Sequence, residues 1–145
     1  MKVRKPMTTD IKTILDDFEF LEDWEDKYRY VIELGKALPE FDDAQRTPGN
    51  KVNGCVSQVW LATTIDRDNG KNIHFDGDSD AHIVRGLVAI MIAAMSDKPA
   101  SEIVAFDAEG FMTKIGLDSH LTPQRSNGLR AMVDRMKSDA AAADT

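Results

Sequence analysis

Val56-Ser57-Gln58-Val59-Trp60-Leu61-Ala62-Thr63-Thr64-Ile65, followed by Asp66-Arg67-Asp68-Asn69-Gly70-Lys71 and Asn72-Ile73-His74-Phe75, decides the class of fold. In the first run Val59, Leu61, Thr63 and Ile65 share one face, and Gln58, Trp60, Ala62 and Thr64 share the other. That period of two, with β-branched and aromatic side chains, marks a strand and not a helix. Asn69-Gly70 is a hairpin turn signal, so the chain is expected to reverse there and return as a second, antiparallel strand over Asn72 to Phe75. Gly77-Asp78-Ser79-Asp80 is expected to end that strand and to supply capping side chains to the next helix.

Working outward, Ala81 to about Met95 carries Ile83, Val84, Leu87, Val88, Ile90, Met91, Ile92 and Ala94. So wide an apolar surface predicts a central helix with no solvent face. Upstream, Thr9-Asp10 caps a first helix whose Ile11, Ile14, Leu15 and Phe18 form a one-sided stripe. A second helix runs from Leu21 or Glu22 to Ala37 and is stopped by Pro39. Trp24 and Tyr28, four apart on its amphipathic face, read as core. Downstream, a short helix begins at Pro99 and ends near Phe106. Phe111 to Leu117 makes a helical turn or two ending at Gly116, and Thr122-Pro123 opens the last helix with a cap and a first-turn proline. The core stripe of that helix is Leu129, Met132, Val133 and Met136.

From Ser138 the sequence has no bulky apolar residue, so residues 138–145, like residues 1–8, are expected to be flexible ends of one domain spanning 1–145. One hairpin, or three strands if Val52 or a neighbour adds one, packed against several helices makes an α+β domain with a small antiparallel sheet.

The chain has 145 residues, of which 42% are hydrophobic and 30% charged, enough for one domain with a real core. A net charge of -7 argues against a nucleic-acid binder, whose affinity comes from neutralising phosphates. The longest apolar run, Gly86 to Met95, falls short of the roughly 20 residues that span a bilayer. Met1-Lys2-Val3-Arg4-Lys5-Pro6 leads into no apolar signal core, and one cysteine cannot form an internal disulfide, so the cytoplasm is the expected compartment.

That one cysteine, Cys55, lies between Gly54 and the polar pair Ser57-Gln58, where a loop without apolar period (Phe41 to Asn50) enters the first strand. A core cysteine usually falls within an apolar period. Spacing alone leaves a reactive thiol and a small buried hydrophobe evenly matched. A reactive thiol acts as thiolate, which a neighbouring cation or helix N-terminus stabilises, and Arg125 in the first turn of the last helix is the best candidate. On spacing alone it also fits a solvated surface arginine. His74, His82 and His120 belong to no motif that would place a base beside Cys55. The sequence lacks the Cys-x-x-Cys or paired histidines of a zinc site and the several thiolates of an iron–sulfur scaffold.

Gly54-Cys55-Val56-Ser57-Gln58-Val59-Trp60 closely resembles the signature of the SufE family of sulfur-acceptor proteins. Three further stretches agree in order and spacing: Trp24-Glu25-Asp26-Lys27-Tyr28 with Glu33-Leu34-Gly35-Lys36, then Gly77-Asp78-Ser79-Asp80-Ala81, then Leu121-Thr122-Pro123-Gln124-Arg125-Ser126-Asn127-Gly128-Leu129. The resemblance covers about residues 10 to 137. It departs at Val56, where members more often carry glutamine, and Gly54 to Gln58 favours SufE over the related CsdE.

The resemblance implies a fold shared with the IscU-type cluster scaffolds. It implies that Cys55 is the persulfide acceptor, that Arg125 lies close to it and stabilises the thiolate or persulfide, and that Asp80 governs the response to the partner; as a plain helix cap Asp80 would fit equally. The implied partners are a SufS-like cysteine desulfurase and a SufB-like cluster-assembly acceptor. Pyridoxal phosphate would belong to the desulfurase, with no cofactor on this chain, no nucleic acid and no membrane. The chain would be a sulfur-transfer partner, not a stand-alone enzyme, and a monomer or weak homodimer. The alternative is a non-catalytic module that activates or scaffolds a desulfurase. A carrier of this kind is expected to shelter Cys55 in an apolar hollow, partly under Trp60 or helix residues, and to swing its loop outward on docking.

Overall fold

The computed structural model describes residues 10–52, 58–66, 72–117 and 121–143. Among them the order is α1 (Ile11–Phe20), α2 (Trp24–Lys36), a 3-10 turn (Asp43–Gln45), β1 (Val59–Asp66), β2 (Asn72–Ser79), α3 (His82–Met95), β3 (Lys98–Pro99), α4 (Ala100–Ala105), α5 (Ala108–Ile115) and α6 (Pro123–Ala143). The expected α+β class holds: a three-stranded antiparallel sheet in the order β1-β2-β3 lies against helices.

β1 and β2 pair from Val59 opposite Ser79 to Asp66 opposite Asn72, so the hairpin is in the expected place. The Asn69-Gly70 turn itself lies outside the described residues. β2 is twice as long as Asn72 to Phe75, because Gly77, Asp78 and Ser79 continue it and do not end it. Their polarity signals a turn, but Asp78 is only 8% exposed and is held by two arginines, so ion pairing within the fold overrides the local signal. Among the described residues the third strand is Lys98–Pro99, on the far side of β2, and not Val52. On the outer edge of β1, Lys51 makes a single bridge to Trp60.

α3 is the central helix. Ten of its residues are buried, and Ala89, Ile90 and Met91 have no exposed surface. Burial of each large aliphatic side chain there contributes about 1.5–3 kcal/mol relative to exposure. α2 crosses α3 at Gly35 and Gly86, where a Cβ on Gly86 would run into the Val31 backbone carbonyl. Small residues at that crossing set how closely the two helices approach.

The helix ends follow from local chemistry. The Asp10 carboxylate accepts from the Thr13 amide at 2.8 Å, the expected cap of α1, and that bond lowers its pKa. Gly116 closes α5 at φ +74°, a conformation that costs glycine nothing. Thr122 Oγ1 accepts from the Arg125 amide at 3.3 Å and caps α6. Pro99 ends β3 and precedes α4 instead of being its first helical residue.

One expectation fails at the C-terminal end. α6 does not fray at Ser138 but runs to Ala143, with Ala140 fully buried. Asp139 explains it: its carboxylate accepts from Thr63 Oγ1 on β1 at 2.7 Å and from Arg135 Nε at 3.1 Å. The side chains that fasten this end are polar, so an apolar stripe gives no sign of them. Residues 1–8 lie outside the described residues.

Candidate functional site

Cys55 lies outside the described residues, which resume at Gln58 after breaking off at Val52. Both shoulders of that interval are firmly placed. The Val52 amide donates to the Val59 carbonyl at 2.8 Å, and the Leu61 amide donates to the Asn50 carbonyl at 2.8 Å. Val52 and Val59 are both buried. On the other shoulder the Gln58 amide donates to Asp80 Oδ1 at 3.0 Å, while the Asp80 amide donates to the Gln58 carbonyl at 3.3 Å.

Asp80 therefore acts on Gln58 and does not cap α3. The helix starts after Ala81 with no side-chain cap, and of the expected capping residues only Ser79 bonds nearby, its hydroxyl accepting from the Ala81 amide at 3.3 Å.

Arg125 stands where the sequence puts it, in the first turn of α6, and lines a hollow of about 270 Å³ between β1, α3 and α6. Val59, Val84, Leu87, Val88, Leu129 and Met132 make its apolar wall, with Thr122 and Gln124 beside Arg125. No carboxylate among the described residues pairs with its guanidinium. A hollow with one apolar wall and an arginine in the first turn of a helix favours an anion there over a neutral ligand. Arg125 and Asp80 thus meet the start of β1 from two directions, Arg125 through the hollow that Val59 walls and Asp80 through Gln58.

Trp60 does not line that hollow. It alternates with Val59 along β1, so its ring lies on the opposite face. There it meets a group that sequence patterning gives no hint of. The Arg46 guanidinium lies over the Trp60 ring at 4.9 Å and the Phe41 ring at 5.2 Å. Its Nη2 donates to Asp78 Oδ2 at 2.6 Å and its Nε to Asp43 Oδ1 at 2.9 Å. The Asp78 bond, with Asp43 second, raises the Arg46 pKa above its ordinary value. Arg85 Nε faces Asp78 Oδ1 at 3.3 Å as an ion pair outside hydrogen-bonding geometry. The segment entering the site is also held from α6, where Arg135 Nη2 donates to the Gly49 carbonyl at 2.6 Å.

Of the histidines, His74 is buried in β2 with Nδ1 2.7 Å from Asp97 Oδ1 and Nε2 3.2 Å from Asp76 Oδ1. The bond to Asp76 and then that to Asp97 raise its pKa, against the opposing pull of burial. His82 is exposed at the start of α3, and His120 lies outside the described residues. Among the described residues no three of His, Cys, Asp and Glu gather as a metal-ligand set, and no helix is long and apolar enough to cross a membrane.

Comparison with known proteins agrees with this architecture. The SufE family's Fe-S metabolism associated domain matches residues 12–140. An uncharacterized SufE-like protein of Rhizobium etli is 63% identical over 128 residues, covering 88% of this chain and 86% of its own length. A second, from Rhizobium meliloti, is 57% identical over 133 residues, covering 91% of this chain and 95% of its own. The solution structure of a hypothetical protein from Thermus thermophilus superposes with a TM-score of 0.73 over 92% of this chain and 94% of that one. At 18% identity that likeness speaks for the fold. With the family's domain spanning nearly the whole chain and two relatives above half identity, the chain belongs to the SufE family of Fe-S metabolism.

Proposed function

We propose that this protein accepts sulfane sulfur on Cys55 from a pyridoxal-phosphate-dependent, SufS-like cysteine desulfurase, stimulates that enzyme, and passes the sulfur to a SufB-like cluster-assembly protein. The observation that carries the reading is the Arg125-lined hollow at the start of β1, with its apolar wall from α3 and α6. Val59 walls it, and Cys55 precedes Val59 by four residues. Cys55 is three residues from both Val52 and Gln58, so these two held shoulders bound how far the chain can carry the thiol.

The chemistry is thiol exchange with a sulfane sulfur as the transferred group. The Cys55 thiolate attacks the terminal sulfur of the desulfurase persulfide. A new S–S bond forms at Cys55, the partner's S–S bond breaks, and its electron pair leaves on the partner's cysteine sulfur as thiolate. No external oxidant or reductant enters. Both the attacking thiolate and the resulting persulfide are anions, and each gains from a cation beside it. Arg125 supplies that charge, and the apolar wall of α3 and α6 limits access of water and competing thiols to the sulfur.

The test is intact mass after incubation with a SufS-like desulfurase, pyridoxal phosphate and cysteine. The expected result is a gain of one sulfur atom, mapped to Cys55 by peptide analysis and absent from Cys55→Ser. If Cys55→Ser stimulates desulfurase turnover as well as the parent does, the acceptor role is refuted.

A further inference from the structure

We infer that Arg46 is a positioning residue for sulfur transfer at Cys55, an assignment that rests on the carrier reading above. Trp60 and Asp78 are directly opposed in the β1–β2 register, so ring and carboxylate are neighbours on one face of the hairpin. Arg46 covers both: its guanidinium lies over the ring and bonds the carboxylate, while Nε reaches Asp43 and the same plane lies over Phe41. One side chain thus joins the beginning of the segment leading to Cys55 to the open end of the hairpin, away from its turn. Trp60 passes the restraint on through its backbone bridge to Lys51, next to Val52.

Charge neutralisation alone does not account for Arg46, because Asp78 already faces Arg85. What Arg46 adds is geometry. A planar fork can lie on two rings and bridge two carboxylates at once, which the point charge of a lysine cannot. Without the clamp, residues 41–52 populate other arrangements, and only a fraction of molecules presents the cysteine correctly. Apparent affinity for the desulfurase then falls by that fraction, while the transfer step, whose reacting groups are unchanged, keeps its rate.

The experiment compares the parent, Arg46→Lys, Asp78→Asn and the double variant by two readouts. One is KM and kcat for the carrier in desulfurase turnover. The other is the rate of Cys55 alkylation by iodoacetamide in the isolated protein, which needs no sulfur transfer. Arg46→Lys is expected to raise KM about fivefold with kcat within about twofold, as a population effect requires, and to change the alkylation rate about threefold or more. Asp78→Asn should move both in the same direction, and the double variant should be no worse than the larger single, since both break one contact. A lower thermal midpoint with unchanged KM and alkylation rate would overturn the assignment by making Arg46 a stability contact only. So would a raised KM with unchanged alkylation and additive variants, since Arg46 would then touch the partner directly. A parent that gains no sulfur refutes the carrier reading, while the alkylation comparison still decides whether Arg46 holds this segment.

Discussion

Gln58 and Asp80 hold each other by two hydrogen bonds, the Gln58 amide on Asp80 Oδ1 at 3.0 Å and the Asp80 amide on the Gln58 carbonyl at 3.3 Å. The side-chain half of this clasp needs an oxygen acceptor at residue 80 and does not need a charge. Asp80→Ala should therefore cost about 1 kcal/mol in denaturant unfolding and speed Cys55 alkylation, while Asp80→Asn, which keeps the oxygen, should restore most of both. Equal effects of the two substitutions would mean that the charge of Asp80 matters and not its bond to Gln58.

Gly86 is a packing requirement with a sharp test. A Cβ there meets the Val31 carbonyl and side chain, so α2 and α3 must separate. Gly86→Ala should destabilise by about 3 kcal/mol, even though alanine favours helix. Urea unfolding measures it, and a neutral or stabilising outcome would show that the crossing can relax.

His74 makes stability depend on pH. With a carboxylate at each ring nitrogen it favours the imidazolium, and its pKa is raised by Asp76 first and Asp97 second. A group whose pKa is higher folded than unfolded stabilises fully below the unfolded value, about 6.5 for histidine, and loses that contribution as pH rises through the folded value. The stability difference between the parent and His74→Gln should therefore shrink as pH is raised from about 6 upward. A difference that stays constant with pH would show that His74 does not carry charge in the fold.

The end of α6 should matter for the site as well as for the fold. Asp139→Ala removes the acceptor for Thr63 and Arg135 and frees Arg135 from one of its two holds, the other being the Gly49 carbonyl. About 1–2 kcal/mol of stability should be lost. Amide exchange at residues 49–51 should rise with it, and exchange unchanged at those amides would argue that α6 fastens the sheet alone.

Much of this architecture is legible from local pattern. Period two gives β1, the width of the apolar surface gives α3, and Asp10, Gly116 and Thr122 announce helix ends by their own backbone chemistry. Reading fails where a distant partner changes the meaning of a polar residue. Gly77 to Ser79 reads as a terminator until Arg46 and Arg85 neutralise Asp78. Ser138 onward reads as a fraying tail until Thr63 binds Asp139. Lys98–Pro99 is too short to show any period. At the site, the family motif locates Arg125 and Asp80, and the fold supplies what each does, the one lining the hollow and the other gripping Gln58. Arg46 sits in a stretch without periodicity, so neither local pattern nor charge count could single it out.

The bond from Arg135 to the Gly49 carbonyl spans 86 positions of chain. During synthesis Gly49 leaves the ribosome long before its arginine exists, and at roughly 5–20 residues per second the wait lasts seconds. A nascent chain that already carries residues 41–52 cannot yet fasten Gly49 to Arg135, so this segment takes up its final hold late in translation, only after α6 has closed over the sheet.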